Sequence, residues 1–135
     1  MTTHAHHAGE LGAGAHEMRK TARIKSKIAN KRSENASSEH EHDRAAEAHD
    51  EAARHHEQAG NHDVAEHHRE IASHHHTINS TNTDDMSWAP DEASANRASR
   101  HVSKAKKKIK ESISKIREHN RAQRAQDGES GSEST

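Results

Sequence analysis

Residues 42–78 read HDRAAEAHDEAARHHEQAGNHDVAEHHREIASHHHTI, and the order of small, imidazole and aliphatic side chains in this stretch decides the fold. His42, Ala45, His49, Ala52 and His56 follow one another at alternating three- and four-residue steps, so they share one face of an α-helix. Val64, His68, Ile71 and His75 repeat the pattern downstream, and Gly60 with Asn61 breaks the chain between the two runs. The spacing predicts an αα-hairpin over residues 38–78 whose two helices meet along these nine side chains. Ser38 followed by Glu41 fits a capping box that starts its first helix.

Outward from the hairpin the chain stays helical in pattern. Residues 15–32 read as a short basic helix with Ala15, Met18, Ala22, Ile28 and Ala29 near helical spacing, joined to the hairpin by a linker at 33–38. Residues 79–89 are turn-rich and read as a loop. Pro90 suits a first helical position and starts a long basic amphipathic helix over 90–125. This helix carries Ala95, Ala98, Val102, Ala105, Ile109, Ile113 and Ile116 as a narrow stripe of coiled-coil type, which marks a packing surface for a partner helix. The glycine-bearing ends, 1–14 and 126–135, read as a disordered leader and tail. The fold class is therefore all-α: an αα-hairpin plus a long basic C-terminal helix, with flexible termini.

Hydrophobic residues make up 27% of the chain, and many of them are alanine; Trp88 is the one aromatic apart from histidine, and cysteine is absent. Large aliphatics are limited to Leu11, Ile24, Ile28, Val64, Ile71, Ile78, Val102, Ile109, Ile113 and Ile116. So little apolar surface is expected to leave a lone chain loosely folded, with order supplied by copies of itself or by other proteins. No thiol chemistry or disulfide framework is possible, and no apolar run reaches the length of a signal-peptide core or a membrane span.

The net charge of −1 hides a segregation of sign. Residues 1–33 hold seven Lys/Arg against two acids, residues 34–76 eleven acids against three arginines, and residues 93–125 eleven basic against two acidic residues. Arg97, Arg100, Lys104, Lys106, Lys107, Lys108, Lys110 and Lys115 form the candidate polyanion-binding face of the last helix. Docking of that helix on the acidic hairpin, within or between chains, is the first reading, and sequence-independent contact with nucleic acid phosphates the second. Membrane insertion ranks below both.

Seventeen histidines invite a metal reading, which their spacing does not support. Two imidazoles on one helix chelate best at i,i+4, and no two histidines here stand four apart. A di-iron bundle needs two Glu-x-x-His motifs, and only Glu39 with His42 forms one. No metal, cofactor or small-molecule substrate is expected, and a histidine-rich metal buffer is the third-ranked role. With no Gly-rich phosphate loop and no nucleophile elbow, no enzyme is expected either. What recurs is a spacing of seven, at His42, His49 and His56, at His67 and His74, and at His68 and His75, which suits histidine as a half-polar packing residue at a wet helix interface. Glu51 with His55, Asp63 with His67 and Glu70 with His74 add i,i+4 pairs that would gain from protonation. Acid would turn the hairpin from negative to positive and is expected to weaken its association with the basic helices.

Residues 46–72 resemble one tetratricopeptide unit, with its small-residue positions on Ala53, Ala65 and Ala72 and its turn glycine on Gly60. The departures are His49 and His56 at large apolar positions, Arg69 at an aromatic one and Thr77 at the closing proline. The resemblance implies the hairpin shape and not a peptide-binding superhelix. The Ala/His-rich helices also resemble those of small phage virion proteins and uncharacterised bacterial proteins. That likeness implies a structural or assembly component, in the cytoplasm of a host or in a virion.

Overall fold

A computed structural model describes residues 8–128, and of residues 8–13 the backbone alone. The described chain is all-helical, with α1 at Ala8–Asn35, α2 at Glu39–Gln58, α3 at His62–Thr81 and α4 at Glu92–Gln126. Consecutive helices are packing neighbours, while α1 and α4 touch only sparsely. Those few links run end to end: Arg19 meets Asp127 near one end and Glu34 meets Arg117 towards the other, so α1 and α4 lie antiparallel with a gap between them.

Local chemistry sets the boundaries. Ser38 caps α2 by accepting from Glu41 N at 3.2 Å, and the Glu41 carboxylate reaches back to Ser37 N at 2.8 Å, one residue beyond the capping-box partner. α2 ends in a Schellman motif, in which Asn61 N–H donates to His56 O and Gly60 N–H to Glu57 O. Gly60 supplies the φ of +85° that this turn requires. Since nothing lies within 4 Å of a Cβ added there, Gly60→Ala meets only the left-handed penalty. A loss of about 1–2 kcal/mol in urea unfolding is expected. Asp91 caps α4 by accepting from Ser94 N at 2.8 Å.

Several boundaries differ from the sequence reading. α1 begins at Ala8, so residues 8–14 of the expected leader are helical, while 1–7 lie outside the described residues. Its last turns include Ser33, which the linker reading placed outside the helix. α3 continues to Thr81, because Asn82 takes the left-handed cap that ends it. Pro90 precedes the Asp91 cap and does not itself begin α4. At the tail, Asp127 and Gly128 form the C-terminal cap of α4, and residues 129–135 lie outside the described residues.

The interior has two halves. Between α3 and α4, Val64, Ile71 and Ile78 interlock with Val102, Ala105, Ile109, Ile113 and Ile116. The α4 stripe expected to receive a partner is thus consumed inside the chain, with Ala98 also buried and Ala95 half-buried. The α1–α2–α3 half is different: alanines such as Ala22, Ala29, Ala45, Ala52 and Ala65 let the backbones close in, and the space left is filled by polar side chains. His49, His56, His68 and Ser26 have no exposed surface. The sequence reading counted only apolar groups towards a core, whereas hydrogen-bonded imidazoles fill part of it.

Candidate functional site

The polar half of the core arises because three helices each place a heptad-spaced polar residue on one seam. α1 alternates Ala22, Ser26, Ala29 and Ser33, α2 alternates His42, Ala45, His49, Ala52 and His56, and α3 alternates Val64, His68, Ile71 and His75. All are buried, and the seven polar ones join in a single hydrogen-bonded chain. His42 Nδ1 lies 2.8 Å from His75 Nδ1, and His75 Nε2 lies 2.7 Å from Ser33 Oγ. Ser33 Oγ lies 2.7 Å from His49 Nε2, and His49 Nδ1 lies 2.7 Å from His68 Nδ1. His68 Nε2 is 2.6 Å from Ser26 Oγ, which is 2.7 Å from His56 Nε2.

The polarity of this chain follows from its far end. Asn61 Nδ2 lies 3.1 Å from His56 Nδ1, and the Asn61 and Gln123 carboxamides pair at 3.0 and 3.3 Å. Arg23 Nη1 sits 3.2 Å from Gln123 Oε1 and 2.8 Å from Asp127 Oδ2. A guanidinium only donates, so Gln123 must present its oxygen to Arg23, and its paired Asn61 must turn its NH2 to His56. His56 then accepts at Nδ1 and donates from Nε2–H to Ser26. Ser26 donates to His68 Nε2, His68 donates from Nδ1–H to His49, and His49 donates from Nε2–H to Ser33. Ser33 in turn donates to His75, and His75 donates from Nδ1–H to His42. Each contact from Asn61 to His42 then joins one donor to one acceptor when all five imidazoles are neutral, and the remaining His42 Nε2–H lies at the end of the chain that borders a cleft. An extra proton anywhere reverses the bonds up to Asn61, whose NH2 cannot accept, beside the positive Arg23.

The electrostatics agree with this count. Burial is the main force pulling each ring down: His68 to about 2, His49 to about 3, and His56 and His75 to about 4, from an ordinary 6.5. Cationic neighbours add to it, His119 and Arg23 at His56, and His42, His76 and His74 at His75 if charged. His49 meets His75 on one side and the opposing Ala29 carbonyl on the other, while His68 faces His49, His56 and His67. At the outer end His42 is also lowered, by burial and Lys106, against Glu41, Asp84 and Asp43. Asp127 is held low by Arg19 and Arg23, which locks the anchoring end.

Asn61 pays for its place in the chain: as the N-cap of α3 it makes no side-chain cap bond, because its carboxamide is committed to His56 and Gln123. Ser33, His75 and His42 line a cleft of about 990 Å³ at the chain's outer end. The order hydroxyl, imidazole, second imidazole is that of an activated nucleophile. Ser33 sits inside a helix, however, where backbone N–H groups are consumed by i→i−4 bonds and so offer no oxyanion donors to a substrate bound beside it.

The nine predicted seam residues all lie in or beside this network. Sequence reasoning missed Ser26 and Ser33, and read α1 through Met18 and Ile28, which are 40% and 46% exposed. The available signal was the spacing of seven between Ser26 and Ser33, interleaved with Ala22 and Ala29 in step with the histidines. The predicted polyanion residues of α4 are all exposed, and only Lys106, Lys107 and Lys110 border the cleft. A second, basic groove of about 720 Å³ opens between α1 and α4, lined by Lys31, Arg32, Arg117 and Arg121 together with Arg44 of α2, and it shares Arg117 and Arg121 with the cleft. Of the surface pairs, Glu51 and His55 stand 4.0 Å apart, and His67 meets Glu70 at 3.5 Å in place of Asp63.

Among the described residues, no three His, Asp or Glu side chains converge to hold one metal ion, and no helix is long and apolar enough to cross a membrane. No protein family, curated protein or solved structure matches this chain.

Proposed function

We propose that this protein is a non-catalytic structural component whose helical body is held together near neutral pH and comes apart in mild acid. The observation that carries this reading is the buried chain of five histidines and two serines, whose donors and acceptors balance only when every imidazole is neutral. A core of leucines would fill the same volume without that condition. The network therefore makes a global property, the integrity of the fold, depend on protons in the range where histidine titrates. The likeness in composition to small phage virion proteins fits a component that must be stable in one compartment or stage and loosen in another.

The test is a pH cycle followed by light scattering and circular dichroism. A compact helical particle at pH 7.5, an expanded one at pH 5 and recovery on return to pH 7.5 support the reading. Unchanged size and helicity at pH 5 sink it. The non-catalytic part is tested separately with a fluorophosphonate probe at pH 8. Ser33 is expected to stay unlabelled over hours, and Ser26 likewise, because each serine is buried and its hydroxyl is committed to two imidazoles. Rapid labelling of Ser33 alone would show a working nucleophile and overturn this part.

A further inference from the structure

The basic groove between α1 and α4 meets the anchoring end of the histidine network at Arg23 but has a chemistry of its own. Glu41 is the one acidic residue in its lining, and its carboxylate is already engaged by Ser37 N at 2.8 Å and Ser37 Oγ at 3.0 Å. Arg117 is paired with Glu34 at 2.7 Å, whereas Arg32, Arg44 and Arg121 have no ion-pair or hydrogen-bond partner among the described residues. Three helices thus aim uncompensated guanidinium groups at one concavity, and like charges held together this way repel unless an anion joins them.

A second observation comes from deeper in the groove. Asn30 of α1 and Asn120 of α4 line it at 2% and 8% exposure, and the Oδ1 atom of each is buried with no hydrogen-bond partner. Buried acceptors left empty are rare, because each costs its desolvation without a return. They call for a donor that the described protein does not supply.

We infer that this groove binds a multiply phosphorylated small molecule that also carries hydroxyl or amino donors, its phosphates held by Arg32, Arg44 and Arg121 and its donors by Asn30 and Asn120. At about 720 Å³ the space is of the size that takes such a ligand. A bare phosphate chain or a nucleic acid backbone would satisfy the arginines and leave both carboxamide oxygens empty. A nucleotide and a polyol polyphosphate share the required chemistry.

Titration calorimetry of the full chain at pH 7.5 distinguishes these cases with four probes: ATP, inositol hexakisphosphate, inorganic triphosphate and a short DNA duplex. Saturable one-to-one binding of ATP or of the inositol phosphate, at least about tenfold tighter than that of triphosphate, is expected, and whichever of the two wins names the source. Arg32→Gln with Arg121→Gln is expected to weaken the winning ligand and triphosphate alike by tenfold or more. Asn30→Leu with Asn120→Leu is expected to abolish the preference over triphosphate while keeping the melting temperature or raising it, since two unpaired polar atoms are removed. Equal affinity for triphosphate and the organic phosphates, tightest binding to the duplex, or no saturable binding at all each overturns the inference. None of these outcomes depends on the acid response of the core.

Discussion

Lowering the pH from 7.5 to 5 is expected to unfold this protein in one steep transition, with a midpoint between about pH 5 and 5.5 and an uptake of at least about four protons. The sign follows from the direction of the shifts. His49, His56, His68 and His75 titrate in the folded chain at about 3, 4, 2 and 4, against 6.5 when exposed. Above about pH 7 both states are neutral at these rings, and stability does not vary with pH on their account. Below 6.5 the unfolded chain binds protons that the folded chain refuses, until the pH nears 4. Each ring then withdraws about 1.4 kcal/mol of stability per pH unit, so four withdraw about 5.5. Integrated to pH 5 the loss is about 8 kcal/mol, which matches the entire stability of a typical domain. Carboxylates add nothing in this window, because Glu34, Glu51 and Asp127 are held low by their cationic partners and release their contribution only below pH 4.5. Potentiometric or isotope-exchange measurement of the proton uptake, beside a circular dichroism titration, checks both slope and midpoint. A native spectrum persisting at pH 4.5, or an uptake of a single proton, would falsify this account of the core.

Removing one hydroxyl is the second large effect. Ser26→Ala leaves the His56 Nε2–H without an acceptor and His68 Nε2 without a donor, both fully buried. Two stranded groups at roughly 1–3 kcal/mol each give an expected loss of about 2–6 kcal/mol, measured by urea unfolding at pH 8 where the rings are neutral. Ser33→Ala strands His49 and His75 in the same way, but Ser33 borders the cleft beside His42 and is 8% exposed. A water molecule can enter from the cleft and bridge the two rings, so the expected loss is smaller, about 1–2 kcal/mol. The ordering is the point of the experiment. Equal costs for the two serines, or a negligible cost for Ser26→Ala, would mean that the hydrogen bonds are incidental to packing.

Both expectations rest on features only half legible in the chain. The heptad recurrence of His42, His49, His56, His68 and His75 is visible by counting, and it places these rings on the facing sides of the hairpin. Their environment is not visible, because a histidine every seventh residue is equally compatible with a wet, exposed interface. Burial was decided by α1, whose alanines and serines cover the seam, and the α1 pattern is too short of large apolar groups to announce itself. The stripe from Ala98 to Ile116 was legible as a packing surface but not as to its occupant, since Val64, Ile71 and Ile78 of α3 fit it as well as a partner would. The basic groove was not legible at all, because it combines Arg32, Arg44 and Arg121 from three helices far apart in sequence.

The order of residues alone therefore determined that the chain is helical, where the hairpin turns and which residues share each face, because those depend on periods of three and four and on local caps and glycines. The tertiary arrangement decided which faces meet, and with that whether an imidazole is wet or dry, paired or alone. A ring's proton affinity and a groove's charge are sums over neighbours from several helices, and such sums exist only once the helices have packed.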